Sequence, residues 1–278
     1  MPFDLKGAVA VVTGASRGVG RGVALGLCAS GATVHITGRT EAEGHSKEAG
    51  LAGSLKRTAD ECNTSERCFP HVCDHLDDTQ TKRVFQEILD RDHHIDILVN
   101  SVWGGYEAMV DERGRFTWML PFWQQPMTRW DRMLAAGLRA RYFAAQEAAR
   151  HMVRQRSGSI VNVSSVASEV AMPGLAPYGM AKAGVNNLTR TMAADYGARG
   201  VRVNCVCVGF VRSDGFARAM TAIGRDPDEV AAESNAIGRV GTTDEVAYPI
   251  LFLVSRAAGF ISGEIVHLNG GPRVTGPW

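Results

Sequence analysis

The chain has 278 residues, 45% hydrophobic and 21% charged, enough for one large domain with an ample core. A net charge of +1 gives no electrostatic basis for binding nucleic acid or an anionic membrane, and no apolar run reaches the ~18 residues a membrane span requires. The six cysteines show no CxxC spacing, so the expectation is a cytoplasmic protein with buried free thiols and no metal site.

The opening MPFDLKGAVAVVTG is interrupted by Asp4 and Lys6 and leads into a glycine loop, which reads as a buried strand rather than a signal peptide. Further apolar runs follow at Thr33–Thr37, Cys68–Cys73, Ile95–Asn100, Ser159–Val163, Val201–Val208 and Glu264–Leu268. Helix-patterned segments lie between them at Val19–Ser30, Asp77–Arg91, Trp130–Arg154, Tyr178–Ala198 and Thr243–Arg256. Near-continuous apolar strands alternating with amphipathic helices predict an α/β fold: a doubly wound parallel sheet covered on both faces, in one domain spanning residues 1–278.

The first strand-to-helix turn reads Thr13-Gly14-Ala15-Ser16-Arg17-Gly18-Val19-Gly20. Glycines there permit a tight turn and close approach of the backbone to a phosphate, and the helix that follows offers free N–H groups. The second strand ends Gly38-Arg39, where an NAD site places an acid against the ribose hydroxyl. Arg39 and Arg17 are basic instead, and a guanidinium can hold a 2′-phosphate through paired hydrogen bonds, so the expected cofactor is NADP(H) rather than NAD(H). Asp74, after the third strand, either accepts from an adenine amino group or caps the next helix. The fourth strand delivers Asn100 and Ser101 to the carboxyl edge, where ligands bind in open α/β sheets.

From Trp103 to Trp130 runs a long irregular insert that holds four of the five tryptophans. Its length and aromatic content predict a substrate wall or lid, with a packed loop or subunit contact as the alternative. The helix beyond carries Gly137 in its interior, at a cost of ~1 kcal/mol relative to alanine. In SSVASEVAMPGLAPYGMAK, Tyr178 and Lys182 are four residues apart and share a helix face, and Ser165 precedes the tyrosine by thirteen positions. A cation beside the phenol favours the phenolate, and Ser165 can hydrogen-bond the carbonyl oxygen that the phenol protonates.

Taken together, these motifs resemble the short-chain dehydrogenase/reductase family over essentially the whole chain. TGASRGVG is similar to its cofactor loop, and Ser165 with Tyr178-x-x-x-Lys182 to its active site. Asp74, Asn100, Asn204, Arg239-Val240-Gly241 and the final SGEIVHLNGG fall at its other landmarks. The aromatic insert, with FWQQPMTRWD and GLRARYF, is similar to the branch containing human dehydrogenase/reductase member one. The resemblance implies a seven-stranded Rossmann sheet and hydride transfer between nicotinamide and a carbonyl or alcohol. Tyr178 would be the general acid/base, Ser165 would orient the substrate oxygen, and Lys182 would hold the ribose and lower the tyrosine pKa. Gly14, Ser16, Arg17, Gly18, Val19, Gly20, Arg39, Asp74, Asn100, Tyr178, Lys182, Gly209 and Val211 would bind the cofactor. The resemblance also implies a homodimer or homotetramer built on the Trp130–Arg154 and Tyr178–Ala198 helices, and a small, apolar carbonyl or alcohol substrate.

Three departures from the family pattern stand out. Asn100-Ser101-Val102-Trp103-Gly104 replaces Asn-Asn-Ala-Gly, Val208-Gly209 replaces Pro-Gly, and Gly137 stands where the family has a catalytic asparagine. Because Gly137 keeps a carbonyl and permits a helix distortion, a water between it and Lys182 is expected to survive, and Gly137→Asn to change activity little. The alternatives to a reductase are an NADP(H)-binding sensor or scaffold without turnover, or dehydration or epimerisation on the same scaffold.

Overall fold

A computed structural model describes residues 3–44, 51–62, 67–106, 109 and 116–272. The first strand, β1 (Val9–Thr13), is buried along its whole length, and the strands on either side of it are also sheltered on both faces. Seven parallel strands follow the order β3-β2-β1-β4-β5-β6-β7, with β2 at Thr33–Gly38, β3 at Cys68–Val72, β4 at Ile97–Asn100, β5 at Gly158–Ser165, β6 at Val201–Val208 and β7 at Ile265–Leu268. The expected seven-stranded doubly wound sheet is therefore observed. Pro70 is tolerated because β3 is an edge strand.

Side chains alternate across β1, so Ala10 and Val12 join one core and Val9 and Val11 the other. The first core packs under α1 (Gly18–Ala29), α2 (Leu55–Glu61) and the helix Thr243–Val254; the second packs under α3 (Asp78–Asp92), the helix Ala140–Gln155 and the helix Ala176–Tyr196. Three short helices were not expected: α2, started by the Ser54 hydroxyl accepting from the Arg57 N–H, and the pair Asp214–Ile223 and Pro227–Ser234 after β6. Cys205 and Cys207 point to the same face of β6 and bury together with Val185, as their spacing requires. All six cysteines are buried and none forms a disulfide; the Cys28 and Cys62 sulfurs are 3.0 Å apart. No helix among the described residues is long and apolar enough to cross a membrane.

The helix expected from Trp130 starts earlier and is not uniform. It opens as α4 (Met127–Leu134), widens into a π-helical turn over Ala135–Arg139, and continues as α5 (Ala140–Gln155). Within the turn the Ala140 N–H reaches back five residues to the Ala135 carbonyl. Gly137 sits in that turn, so the distortion expected at this glycine is present. The next helices are α6 (Ala176–Tyr196), α7 (Asp214–Ile223), α8 (Pro227–Ser234) and α9 (Thr243–Val254).

Candidate active site

The carboxyl ends of β1, β4, β5 and β6 open into a cavity of about 530 Å³. The glycine loop forms its floor. Gly14 and Gly18 adopt left-handed backbone angles, φ +70° and +57°, that favour glycine. A Cβ on Gly14 would lie 2.6 Å from the Val102 Cα, and one on Gly20 would strike the Gly14 carbonyl, so bare backbone is required at both places. Arg17 caps α1 without a side-chain cap bond, which leaves the helix N-terminus in the style of an anion cradle. These features suit the phosphates of a dinucleotide.

Of the residues expected to bind cofactor, Gly14, Ser16, Arg17, Gly18, Val19, Gly20, Arg39, Asp74, Tyr178, Lys182, Gly209 and Val211 all line this cavity. Arg17 is tethered: its Nε donates to the Ala52 carbonyl at 2.8 Å, and its Nη2 to Thr40 Oγ1 and the Gly53 carbonyl. Asp74 does not cap α3, because Asp77 does so by accepting from Thr79 and Gln80; the Asp74 carboxylate accepts from the Leu76 N–H within the cavity wall. Asn100 lies elsewhere. It is fully buried behind the cavity, where its amide donates to the Arg141 carbonyl and to Asn162 Oδ1, so its side chain joins strands and helix rather than facing a ligand. Asn204 likewise spans β6 and the turn before β7, through the Ile261 carbonyl and the Glu264 N–H.

Tyr178, Lys182 and Ser165 converge on the same cavity. Pro177, in the first turn of α6, presets the backbone where the phenol emerges, and the helix then brings Lys182 below it. Ser165 ends β5 with its hydroxyl accepting from the Ala167 N–H. The Lys182 ammonium donates to the Val163 carbonyl at 3.1 Å. The Trp103 ring stands edge-on to Tyr178, with centroids 4.9 Å apart and planes at 89°. Lys182 Nζ lies 5.0 Å from the Trp103 ring centre and 5.6 Å from that of Tyr178.

Two sequence expectations change here. Burial raises the Tyr178 phenol above the ordinary tyrosine range; the Ser165 hydroxyl and then the Arg141 charge oppose that rise. Burial, and next the charge of Arg141, hold the Lys182 ammonium well below the ordinary lysine range. The second change concerns Gly137. A Cβ there would lie 2.5 Å from Trp103 Cζ3 and 3.3 Å from the Ala181 methyl, so the indole occupies the room a side chain at 137 would need. Trp103 and Gly137 are complementary departures from the family pattern, and asparagine does not fit at 137 beside this tryptophan.

Arg141 is a cavity residue that sequence reading passed over. It is 1% exposed, yet it lines the cavity. The available signal was its place on the apolar stripe of α5, in helical register with Ala145, Ala148 and Met152. The aromatic insert supplies the outer wall: Tyr106 stacks on Trp118 at 5.7 Å, Phe116 leans on the same indole, and Met109 and Met133 back them. Residues 107, 108 and 110–115 of the insert lie outside the described residues. Phe122 and Trp123 face outward, 72% and 81% exposed, so only part of the insert is wall.

A glycine cradle, a Ser-Tyr-Lys convergence and a seven-stranded parallel sheet define a dinucleotide-dependent oxidoreductase site, and comparison with known proteins agrees. A family profile described as Enoyl-(Acyl carrier protein) reductase matches residues 14–272, and the chain belongs to the short-chain dehydrogenase/reductase family. It is 32% identical to 3-oxoacyl-(acyl-carrier-protein) reductase FabG of Aquifex aeolicus, over 98% of this chain and 99% of that one. It is 35% identical to human dehydrogenase/reductase SDR family member 1, over 77% of this chain and 64% of that protein, as the aromatic insert foreshadowed. Among solved structures, 7α-hydroxysteroid dehydrogenase complexed with NADH and 7-oxo glycochenodeoxycholic acid aligns over 97% of this chain and 95% of its own, with a TM-score of 0.82 and 25% identity.

Proposed function

We propose that the chain is an NADP(H)-dependent oxidoreductase that interconverts a carbonyl and an alcohol, with Tyr178 as general acid/base. The observation that carries this reading is the convergence of Ser165, Tyr178 and Lys182 on the cavity whose floor is the glycine loop. The nicotinamide, when bound, supplies or accepts the hydride. The Ser165 hydroxyl orients the substrate oxygen, and the Tyr178 phenol donates the proton that makes it an alcohol. Lys182 stands one helical turn below to hold the ribose and exchange protons. Trp103, Tyr106 and Trp118 shield the reacting centre from water and favour an apolar, ring-containing carbonyl compound. Consumption of NADPH with a panel of ketones, aldehydes and quinones, followed by absorbance, tests the reading; no consumption with any of them defeats it.

NADP(H) is favoured over NAD(H) because Arg39 and Thr40 follow the end of β2 on the cavity wall, with Arg17 bonded to Thr40 beside them. Arg17 and Arg39 both line this end of the cavity, and a guanidinium there suits a 2′-phosphate on the adenosine ribose. Arg39→Asp is expected to weaken NADPH binding more than ~10-fold and to relieve the bias against NADH, read by fluorescence titration with each cofactor. Equal affinity of the unchanged protein for both cofactors would refute the assignment.

The protein is further proposed to act in the cytoplasm as a homodimer or homotetramer. A groove between α4–α5 and α6, lined by Trp130, Leu134, Tyr142 and Leu188, lies on the two helices through which pairing was expected. Light scattering at micromolar concentration is expected to give a multiple of the chain mass, and a monomer rejects the idea.

A further inference from the structure

The cysteines show no metal-ligand spacing along the chain, but the fold gathers three of them. Cys28 lies in the last turn of α1, Cys62 caps the end of α2, and Cys68 is the first residue of β3. Their sulfurs all lie within 4.8 Å of one another, and those of Cys28 and Cys62 are 3.0 Å apart. The three share the core under α1 and α2 and are 2%, 8% and 4% exposed.

A single buried thiol packs as a small apolar group and needs no further role. Three sulfurs converging from three separate elements form a donor set. Zinc holds sulfur at ~2.3 Å, so a tetrahedral site sets thiolates ~3.8 Å apart and a trigonal site of the same bond length ~4 Å apart. Shifts of about 1 Å or less bring the three sulfurs to either arrangement. Among the described residues no histidine or carboxylate joins the group. An all-sulfur set selects soft, thiophilic cations and is unsuited to Mg²⁺ or Ca²⁺, which take oxygen.

The surroundings suit the charge of such a cluster, which is anionic when three thiolates hold a monovalent or divalent ion. Arg21 stands two turns before Cys28 on α1, and its charge reaches Cys62. Its Nη2 pairs with Glu61, the neighbour of Cys62, while its Nε is buried and has no hydrogen-bond partner. An anion alongside offsets the cost of that buried cationic N–H. A second gathering, Glu169, Cys207 and His267, lacks these features. Its histidine and carboxylate are exposed and already paired with each other at 2.7 Å.

We propose that Cys28, Cys62 and Cys68 bind one thiophilic d¹⁰ cation, Zn²⁺ or Cu⁺, as three thiolates, and that the ion pins α1, α2 and β3 together. The thiol protons pass to solvent on binding, and no electron is transferred. None of the three lines the cavity, so the ion is structural and the proposal stands apart from the oxidoreductase reading.

The test titrates the reduced, metal-free protein with Zn²⁺ and, separately, with Cu⁺ in the absence of oxygen. One equivalent of at least one cation is expected to bind with a Kd below ~1 μM and to raise the thermal midpoint by ~5 °C or more at saturation. X-ray absorption at the metal edge of the loaded parent protein is expected to count three sulfur neighbours, with an added oxygen for Zn²⁺ and none for Cu⁺. Cys62→Ser is expected to weaken binding ~100-fold or more, whereas Cys207→Ser leaves it within about twofold. Failure of both cations to bind overturns the proposal. So does a bound ion with fewer than three sulfur neighbours, or binding that survives Cys62→Ser and is lost in Cys207→Ser. The sulfur count needs no variant, so it decides alone if Cys62→Ser does not fold.

Discussion

Tyr178→Phe is expected to lower turnover by ~10²–10⁴ while leaving NADPH affinity within about twofold. The substitution removes one oxygen. The ring that meets the Trp103 indole edge-on is retained, so the aromatic wall stays in place and the loss reports on the proton alone. Ser165, on the end of β5, would still orient a substrate oxygen, and Lys182 would still hold the Val163 carbonyl. What disappears is the group that delivers the proton as hydride reaches the carbonyl carbon. The measurement is NADPH consumption with a carbonyl compound that the parent protein reduces, together with cofactor affinity by fluorescence. A variant that keeps turnover within about threefold of the parent would remove Tyr178 from the acid/base role.

Gly137→Asn is expected to reduce stability by ~1–3 kcal/mol and to lower turnover about tenfold or more. The new Cβ would stand 2.5 Å from the Trp103 ring, with the Ala181 methyl close on another side, so the indole has to move. Its movement would disturb Tyr178 and Lys182, both of which contact that ring. The structure thereby reverses the expectation drawn from the family pattern, in which asparagine at this position would be innocuous. Trp103→Ala should open the space, so the double variant Trp103→Ala/Gly137→Asn is expected to recover stability relative to Gly137→Asn. Denaturant unfolding of the four proteins gives the coupling between the two positions, expected at ~1 kcal/mol or more. Additive effects of the two changes would show that Trp103 does not occupy the place of the missing side chain.

Much of this site was legible in the linear sequence because its parts are local. The glycine loop lies within eight consecutive residues, and Tyr178 and Lys182 share one helix face by spacing alone. The helix distortion at Gly137 was also foreseeable, since a residue without a side chain leaves the backbone free to widen into a π-helical turn. Asn100 was legible as a residue at the strand end but not by direction. Its side chain turns inward to Asn162 and the Arg141 carbonyl, and the pleat of a strand buried on both faces offers no sign of which side holds the ligand.

The charge balance around Tyr178 belongs to the tertiary structure. Lys182 is four residues from the phenol and Arg141 is thirty-seven, yet both come to line the cavity that holds it. Sequence spacing locates groups along a helix; it does not report which of two cations loses its water or which carbonyl they share. The complementarity of Trp103 and Gly137 is of the same kind, because it depends on how closely β4 and the π-helical turn approach. The sequence by itself therefore determined the fold, the glycine loop and the pairing of Tyr178 with Lys182 through periodicity and short-range spacing, and the family resemblance added Ser165 to them. Packing alone decided that Arg141 and Lys182 share the Val163 carbonyl and that Trp103 fills the room beside Gly137, since these contacts depend on distances through space that the order of residues does not contain.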